Sequence, residues 1–176
     1  ALRSDGSVVV WGDSTYGGSL GAAASSLNGT IDATKVVACG FAFAALRTDG
    51  TIVPWGHASY GGSLSAGAIS DIGTKKVTDI IAVADESSMI QSGFFAVLDN
   101  GQVTYWGLLQ TERPFSEVKS SLDGTIPVTS ILVNETSGIA FVRANGSIVT
   151  WGRINYGGNS DSIRNFLNGA IPVSQV

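Results

Sequence analysis

The chain has 176 residues, 44% of them hydrophobic and only 14% charged, with a net charge of -4 at neutral pH. That length can bury a substantial core, while the mild acidity offers no basic face, so neither nucleic acid nor an anionic membrane is expected as a partner. No apolar run approaches the ~18 residues of a membrane span, and the single cysteine, Cys39, excludes an internal disulfide.

Asp5-Gly6 opens the pattern; an apolar run, Val8-Val9-Val10, follows it and ends at Trp11-Gly12. The same unit returns as Asp49-Gly50 with Trp55-Gly56, Asn100-Gly101 with Trp106-Gly107, and Asn145-Gly146 with Trp151-Gly152. Spacings of 44, 51 and 45 residues between the tryptophans mark a repeat protein. Asp/Asn-Gly between apolar runs predicts a hairpin with a two-residue type I′ turn. Three residues before each tryptophan stands a β-branched residue (Val8, Ile52, Val103, Ile148), followed by Val9, Val53, Thr104 or Val149. Such residues at successive positions predict a strand covered on both faces. One large aromatic per unit fills space between packed sheets, so Trp11, Trp55, Trp106 and Trp151 are assigned to the frame.

Beyond Trp-Gly comes a short loop and then Tyr16-Gly-Gly, Tyr60-Gly-Gly and Tyr156-Gly-Gly; the third repeat has Leu108-Leu-Gln-Thr-Glu-Arg-Pro114 instead. Helical spacing follows in Ala23/Leu27, Val118/Leu122 and Ile163/Leu167. With Ser116 and Ser160 as N-caps and Gly124 and Gly169 as C-terminal glycines, a helix of one to two turns is predicted there. The next strand opens at Val36-Val37, Ile80-Ile81 and Ile131-Leu132. Length variation falls just after it: the connection runs around Gly40 in the first repeat, gains about Asp85 to Gln91 in the second, and gains one residue around Asn134 to Ser137 in the third. Insertions confined to one loop imply a rigid frame with one permissive face.

The expected fold is all-β: one repeat domain over 1–176, with units of about 1–44, 45–95, 96–141 and 142–176, read as blades of a β-propeller. Ala1 matches Ala45 and Val176 matches Val36, so the sequence reads as a window, cut inside a blade on both sides, on a longer repeat protein.

The stretch AALRTDGTIVPWGHASYGG, with VVACGFAFAALRTDG overlapping it upstream, resembles the regulator of chromosome condensation repeat, in particular its short-repeat branch, which includes the β-lactamase-inhibitor propeller. The likeness extends repeat by repeat over essentially the whole chain. It implies a propeller, commonly seven-bladed, of four-stranded blades. The family's Gly-x-x-His step is Gly40-Phe-Ala-Phe here, and its Tyr-Gly-Gln-Leu-Gly is Tyr-Gly-Gly-Ser-Leu in the first two repeats. No residue maps onto a nucleotide-exchange site.

No catalytic constellation is visible. His57, the only histidine, occupies a loop position filled elsewhere by Asp13, Leu108 and Arg153, without a nucleophile or orienting acid at recognisable spacing. No metal-ligand spacing and no phosphate-binding glycine motif occur, and no cofactor is expected. If the strands run up and down, the Gly40-type loops and the loops after Trp-Gly share one face. That face gathers Asp85, Glu86, Ser87, Ser88, Met89 and Ile90 with Asp13, His57, Leu108, Leu109 and Arg153, a mixture suited to a protein contact. Asn28, Asn134 and Asn145 open Asn-x-Ser/Thr sequons; the glycine turns already explain Asn28 and Asn145, which leaves Asn134 as the better glycan acceptor. The expectation is a non-enzymatic structural or protein-binding module of an extracellular or cell-surface assembly, its partners being a protein, neighbouring subunits or further repeats. The alternatives are a regulatory propeller, either a GTPase exchange factor or an enzyme inhibitor, in a cytoplasmic setting, and a glycan binder using Tyr16, Tyr60 and Tyr156.

Overall fold

The computed structural model describes residues 1–84, 92–134, 138–173 and 176. Among the described residues, nine strands form three antiparallel, three-stranded sheets in sequence order. The first comprises β1 (Ala33–Cys39), β2 (Ala42–Arg47) and β3 (Ile52–Gly56); the second β4 (Val77–Ala84), β5 (Ser92–Leu98) and β6 (Val103–Leu108); the third β7 (Val128–Val133), β8 (Gly138–Arg143) and β9 (Ile148–Gly152). The middle strand of each sheet is the first arm of the hairpin, as the apolar runs predict. Each described sheet has three strands, where the family resemblance implies four. Ahead of them the first repeat contributes a short hairpin, with the Leu2–Val8 bridge across it and a Ser7–Asn28 bridge beside it.

The hairpin turn differs from the expected type. Gly50 N–H donates to Arg47 O and Arg47 N–H to Thr51 O, which makes a three-residue loop closed by a glycine bulge; the same pair of bonds closes Arg3–Ser7 and Arg143–Ser147. Gly50 supplies the positive φ (+82°). The aspartate serves another purpose: Asp49 Oδ1 accepts from both the Thr51 amide (2.9 Å) and its hydroxyl (2.6 Å), as Asp5 does from Ser7 and Asn145 from Ser147. A short acceptor side chain that satisfies the backbone two residues on is what Asp and Asn offer at a turn.

The outer strand of each sheet carries a bulge near its start, with register shifts at Ala33/Lys35, Val77/Asp79 and Val128/Ser130. A threonine fills each: Thr34, Thr78 and Thr129 hydroxyls donate to Leu46, Val97 and Val142 carbonyls at 3.1–3.2 Å. That compensates a carbonyl where the ladder is locally disrupted.

The helical stretches vary by repeat. The longest is α1 (Ala66–Ile72), with Ser65 Oγ accepting from the Ala68 amide and Gly73 closing it. In the first and fourth repeats Gly21–Ser26 and Asp161–Phe166 are 3-10 turns, a form that short segments favour. The two expected caps do not function as caps. α2 (Ser116–Lys119) starts after Phe115, which places Ser116 inside it. Ser160 stands at the N-cap position, but its Oγ accepts from the Thr150 hydroxyl (2.9 Å) instead of capping.

The contacts divide the chain into two compact units. The first holds the opening hairpin and the first two sheets, apart from the first residue of β6; the second holds the third sheet with 110–127 and the C-terminal repeat. In the first unit, Cys39, Ala42, Ala44 and Leu46 of the first sheet pack against Ile80, Phe94, Ala96, Leu98 and Trp106 of the second. Ala45, Val53 and Trp55, on the first sheet's opposite face, pack with Val8 and Leu27. Both faces of that sheet are therefore covered, as its sequence predicts. In the second unit Phe115, Val118, Leu122, Ile139, Phe141 and Trp151 are buried.

Candidate functional site

The Trp-Gly…Tyr-Gly-Gly motif is a clamp. Trp55 Nε1–H donates to Gly17 O (3.2 Å) and Trp106 Nε1–H to Gly61 O (3.0 Å), one repeat upstream in each case. Each indole stacks on a phenylalanine: Trp55 on its cross-strand partner Phe43 (5.3 Å), and Trp106 on Phe94 (5.2 Å). The phenylalanine ring also covers the acceptor glycine: a Cβ on Gly17 or Gly61 would lie 2.6 or 2.7 Å from it, and both have φ near +100°. The second glycine closes the loop, since a Cβ on Gly18 or Gly62 would strike Gly12 O or Gly56 O. The third repeat, which lacks this loop, finds another acceptor. Trp151 Nε1–H donates to Arg113 O (2.9 Å), and Phe115 meets the indole edge-on, where Ile139 has replaced the paired phenylalanine.

Trp11 departs from its assignment to the buried frame. Trp55, Trp106 and Trp151 are 4%, 1% and 1% exposed, whereas Trp11 is 75% exposed. The acceptor carbonyl of each buried indole comes from the preceding repeat.

Strand register puts the loops where the sequence analysis expects them. Ala42 pairs with Gly56 and Gly138 with Gly152, so in both sheets the Gly40-type connection and the loop after Trp-Gly share one end, with the Asp/Asn-Gly turns at the other. At that end of the first unit, four aromatic rings come together. Phe41 packs against Tyr16 (5.4 Å between centroids) and Tyr60 (4.7 Å), and His57 against the same two tyrosines (6.2 and 4.8 Å). Tyr16 is 47% exposed; Phe41, His57 and Tyr60 are half-buried. His57 Nδ1 is buried and meets no hydrogen-bond partner among the described residues. Beneath the cluster, the Cys39 thiol donates to Tyr60 O (3.3 Å), and burial pushes its pKa up.

The candidate contact residues separate into kinds. Asp13 caps the turn Ser14–Tyr16, its Oδ1 accepting from the Thr15 amide (2.8 Å). His57 and Arg153 hold the corresponding position before Ala58–Tyr60 and Ile154–Tyr156, without capping through their side chains. Arg153 instead lies over the Tyr156 ring at 5.3 Å. Leu108 ends β6 and is half-buried with Leu109, which borders the close approach at Gly93. Asp85, Glu86, Ser87, Ser88, Met89 and Ile90 lie outside the described residues. Phe41, in the strand connection, was not among the residues singled out from the sequence.

Among the three sequon asparagines, Asn134 donates its Nδ2 to Tyr156 O (2.9 Å) while Oδ1 accepts from the Gly138 amide (2.7 Å). The nitrogen a glycan would need is thus engaged in the folded protein. Asn145 is held by buried Ser147. Asn28 and Thr30 are both exposed, with Asn28 Oδ1 accepting from the Thr30 amide. Exposure therefore ranks Asn28 above Asn134, the reverse of the sequence-based order. Among the described residues, no three His, Cys, Asp or Glu side chains are grouped to hold a metal ion, and no helix is long and apolar enough to cross a membrane.

No protein-family model and no curated protein matches the sequence. Among solved structures, the chain is similar to the ectodomain of the receptor kinase CR4 from Physcomitrella patens, at 16% identity and a TM-score of 0.46, over 81% of this chain and 32% of that one. It is also similar to human WBSCR16, at 19% identity and a TM-score of 0.44, over 69% of this chain and 34% of that one. The chain spans about a third of the length of each of these structures.

Proposed function

We propose that the three sheets are blades of a β-propeller of the regulator of chromosome condensation type, serving as a non-enzymatic protein-binding module of an extracellular or surface assembly. The observation that carries this reading is the four-ring cluster of Tyr16, Phe41, His57 and Tyr60 at the loop end of the first unit. Half-exposed aromatics with polar edges are the residues that interfaces concentrate at their centres. The low charge of the chain suits a contact made by packing more than by electrostatic steering. The test is site-specific photocrosslinking in the protein's native setting, with the crosslinker at Tyr16 or, as control, at Asp49 in the opposite turn. Adducts to one protein from position 16 alone support the reading; equal labelling from both positions, or from 49 alone, contradicts it.

Glycan binding is the second reading, favoured by Tyr16 at 47% and Tyr156 at 48% exposure, since exposed tyrosine rings can stack on apolar sugar faces. It predicts saturable binding on an oligosaccharide array that Tyr16→Ala abolishes.

A further inference from the structure

An asparagine can carry an N-linked glycan in a folded protein only if its side-chain nitrogen faces solvent and the hydroxyl residue of its sequon is not tied into the core. The turn Asn28-Gly29-Thr30 meets both conditions. Asn28 and Thr30 are exposed, and Asn28 Oδ1 accepts from the Thr30 amide (2.9 Å), which turns the two hydrogens of Nδ2 outward. Among the described residues, Nδ2 of Asn28 meets no partner. The other two sequons fail differently. At Asn134 the nitrogen is spent on Tyr156 O, and at Asn145 the sequon hydroxyl, Ser147, is 0% exposed and bonded to Asn145 and Arg143.

The exposure at Asn28 belongs to the turn itself. The third repeat builds the same turn at matched positions: Asp123 Oδ1 accepts from the Thr125 amide (2.8 Å), and both residues are exposed. The second repeat has Ile72 in this place, packed at the core. The turn also has a defined position. Asn28 bridges Ser7, a Cβ on Gly29 would lie 2.7 Å from Asp5 O, and the chain beyond it bonds to Gly6 O through the Ala33 amide. Asn28 therefore stands beside the Asp5-Gly6 turn, at the end of the repeat opposite the loops that carry Tyr16.

We propose that Asn28, alone among the three sequons, carries an N-linked glycan, which projects from the turn end and leaves the loop end uncovered. The donor is a polyprenyl-diphosphate-linked oligosaccharide. Asn28 Nδ2 forms a bond to the anomeric carbon and gives up one proton, while the bond from that carbon to the diphosphate oxygen breaks and its electron pair leaves on the diphosphate. The proposal rests on the extracellular or surface setting proposed above.

The test routes the intact chain through the secretory pathway of a glycosylating cell behind a cleavable signal, as the parent, Asn28→Gln, Thr30→Ala and Asn134→Gln. The secreted protein is treated with peptide-N-glycosidase in heavy-oxygen water, which turns each glycosylated asparagine into labelled aspartate, and its peptides are read by mass spectrometry. The parent and Asn134→Gln are expected to carry label at position 28, with Asn145 and the parent's Asn134 unlabelled. Asn28→Gln and Thr30→Ala are expected to lose one glycan-sized step in mass. A secreted parent bare at Asn28, label at Asn134 or Asn145, or label that survives Thr30→Ala would each overturn the proposal without bearing on the natural setting. The same labelling of the protein from its own source tests that setting. Label at Asn28 there supports both; a bare Asn28 there, when the routed chain carries the glycan, removes the extracellular setting and the proposal with it.

Discussion

Replacing Trp106 with alanine removes the centre of one clamp. The side chain is 1% exposed, stacks on Phe94 at 5.2 Å and donates to Gly61 O at 3.0 Å. Truncating a buried tryptophan costs ~3–5 kcal/mol through lost transfer energy and the remaining cavity. The stranded Gly61 carbonyl puts the loss at the upper part of that range, because a buried acceptor left unpaired costs ~1–3 kcal/mol. Trp106→Phe separates these effects: it keeps an aromatic filling and loses the donor, for an expected ~1–2 kcal/mol. Trp11→Ala is the internal control. The same motif residue at 75% exposure should cost less than ~0.5 kcal/mol. The assay is urea unfolding followed by far-ultraviolet circular dichroism, which does not depend on the deleted fluorophore, at concentrations where sedimentation gives a monomer. A Trp106→Ala loss under ~1 kcal/mol, or a Trp11→Ala loss equal to it, would refute the clamp.

The glycine seats give a second contrast. Gly61→Ala combines positive φ with a Cβ 2.7 Å from the Phe94 ring, while Gly157→Ala meets open space; the first should cost over ~2 kcal/mol and the second about 1, read from urea midpoints. Asp49 supplies a pH test. Its carboxyl is held below the usual carboxylate range, first by the Thr51 hydroxyl and then by the Thr51 amide, with a contribution from Arg47. A depressed folded-state pKa gives stability that is complete above the unfolded value and lost as pH falls through the folded one, so melting temperature should drop below about pH 4. Asp49→Asn, the residue this turn already uses at Asn145, should flatten part of that drop. Cys39 is 6% exposed with a raised pKa, so a thiol-reactive disulfide reagent at neutral pH should leave it unmodified in the folded protein and modify it in denaturant.

The frame was legible because repetition multiplies weak signals. One Asp-Gly or one Trp-Gly says little, whereas four at matched offsets located the hairpins and the loop end that the register of β1–β3 and β7–β9 displays. The turn type was misjudged for a physical reason. Asp-Gly fits a two-residue turn and a three-residue bulged loop alike, and what separates them is the Asp49–Thr51 hydrogen bonding, in which the hydroxyl partner at 51 takes part. The threonines at 34, 78 and 129 recur at fixed offsets too, but a hydroxyl compensating a bulge carries no hydrophobic signature. Identity at a motif position does not by itself determine burial: Trp11 is exposed while Trp55, Trp106 and Trp151 are buried. The aromatic cluster was half legible. Tyr16, Tyr60 and His57 drew notice singly, but their meeting around Phe41 depends on loops from two successive repeats.

The most direct test of the account is hydrogen–deuterium exchange of the four indole N–H groups by nuclear magnetic resonance, recorded where the chain is monomeric and with single Trp→Phe variants for assignment. The clamp predicts slow exchange at Trp55, Trp106 and Trp151 and immediate exchange at Trp11. Immediate exchange at all four, or protection of Trp11 in the monomer, would contradict it.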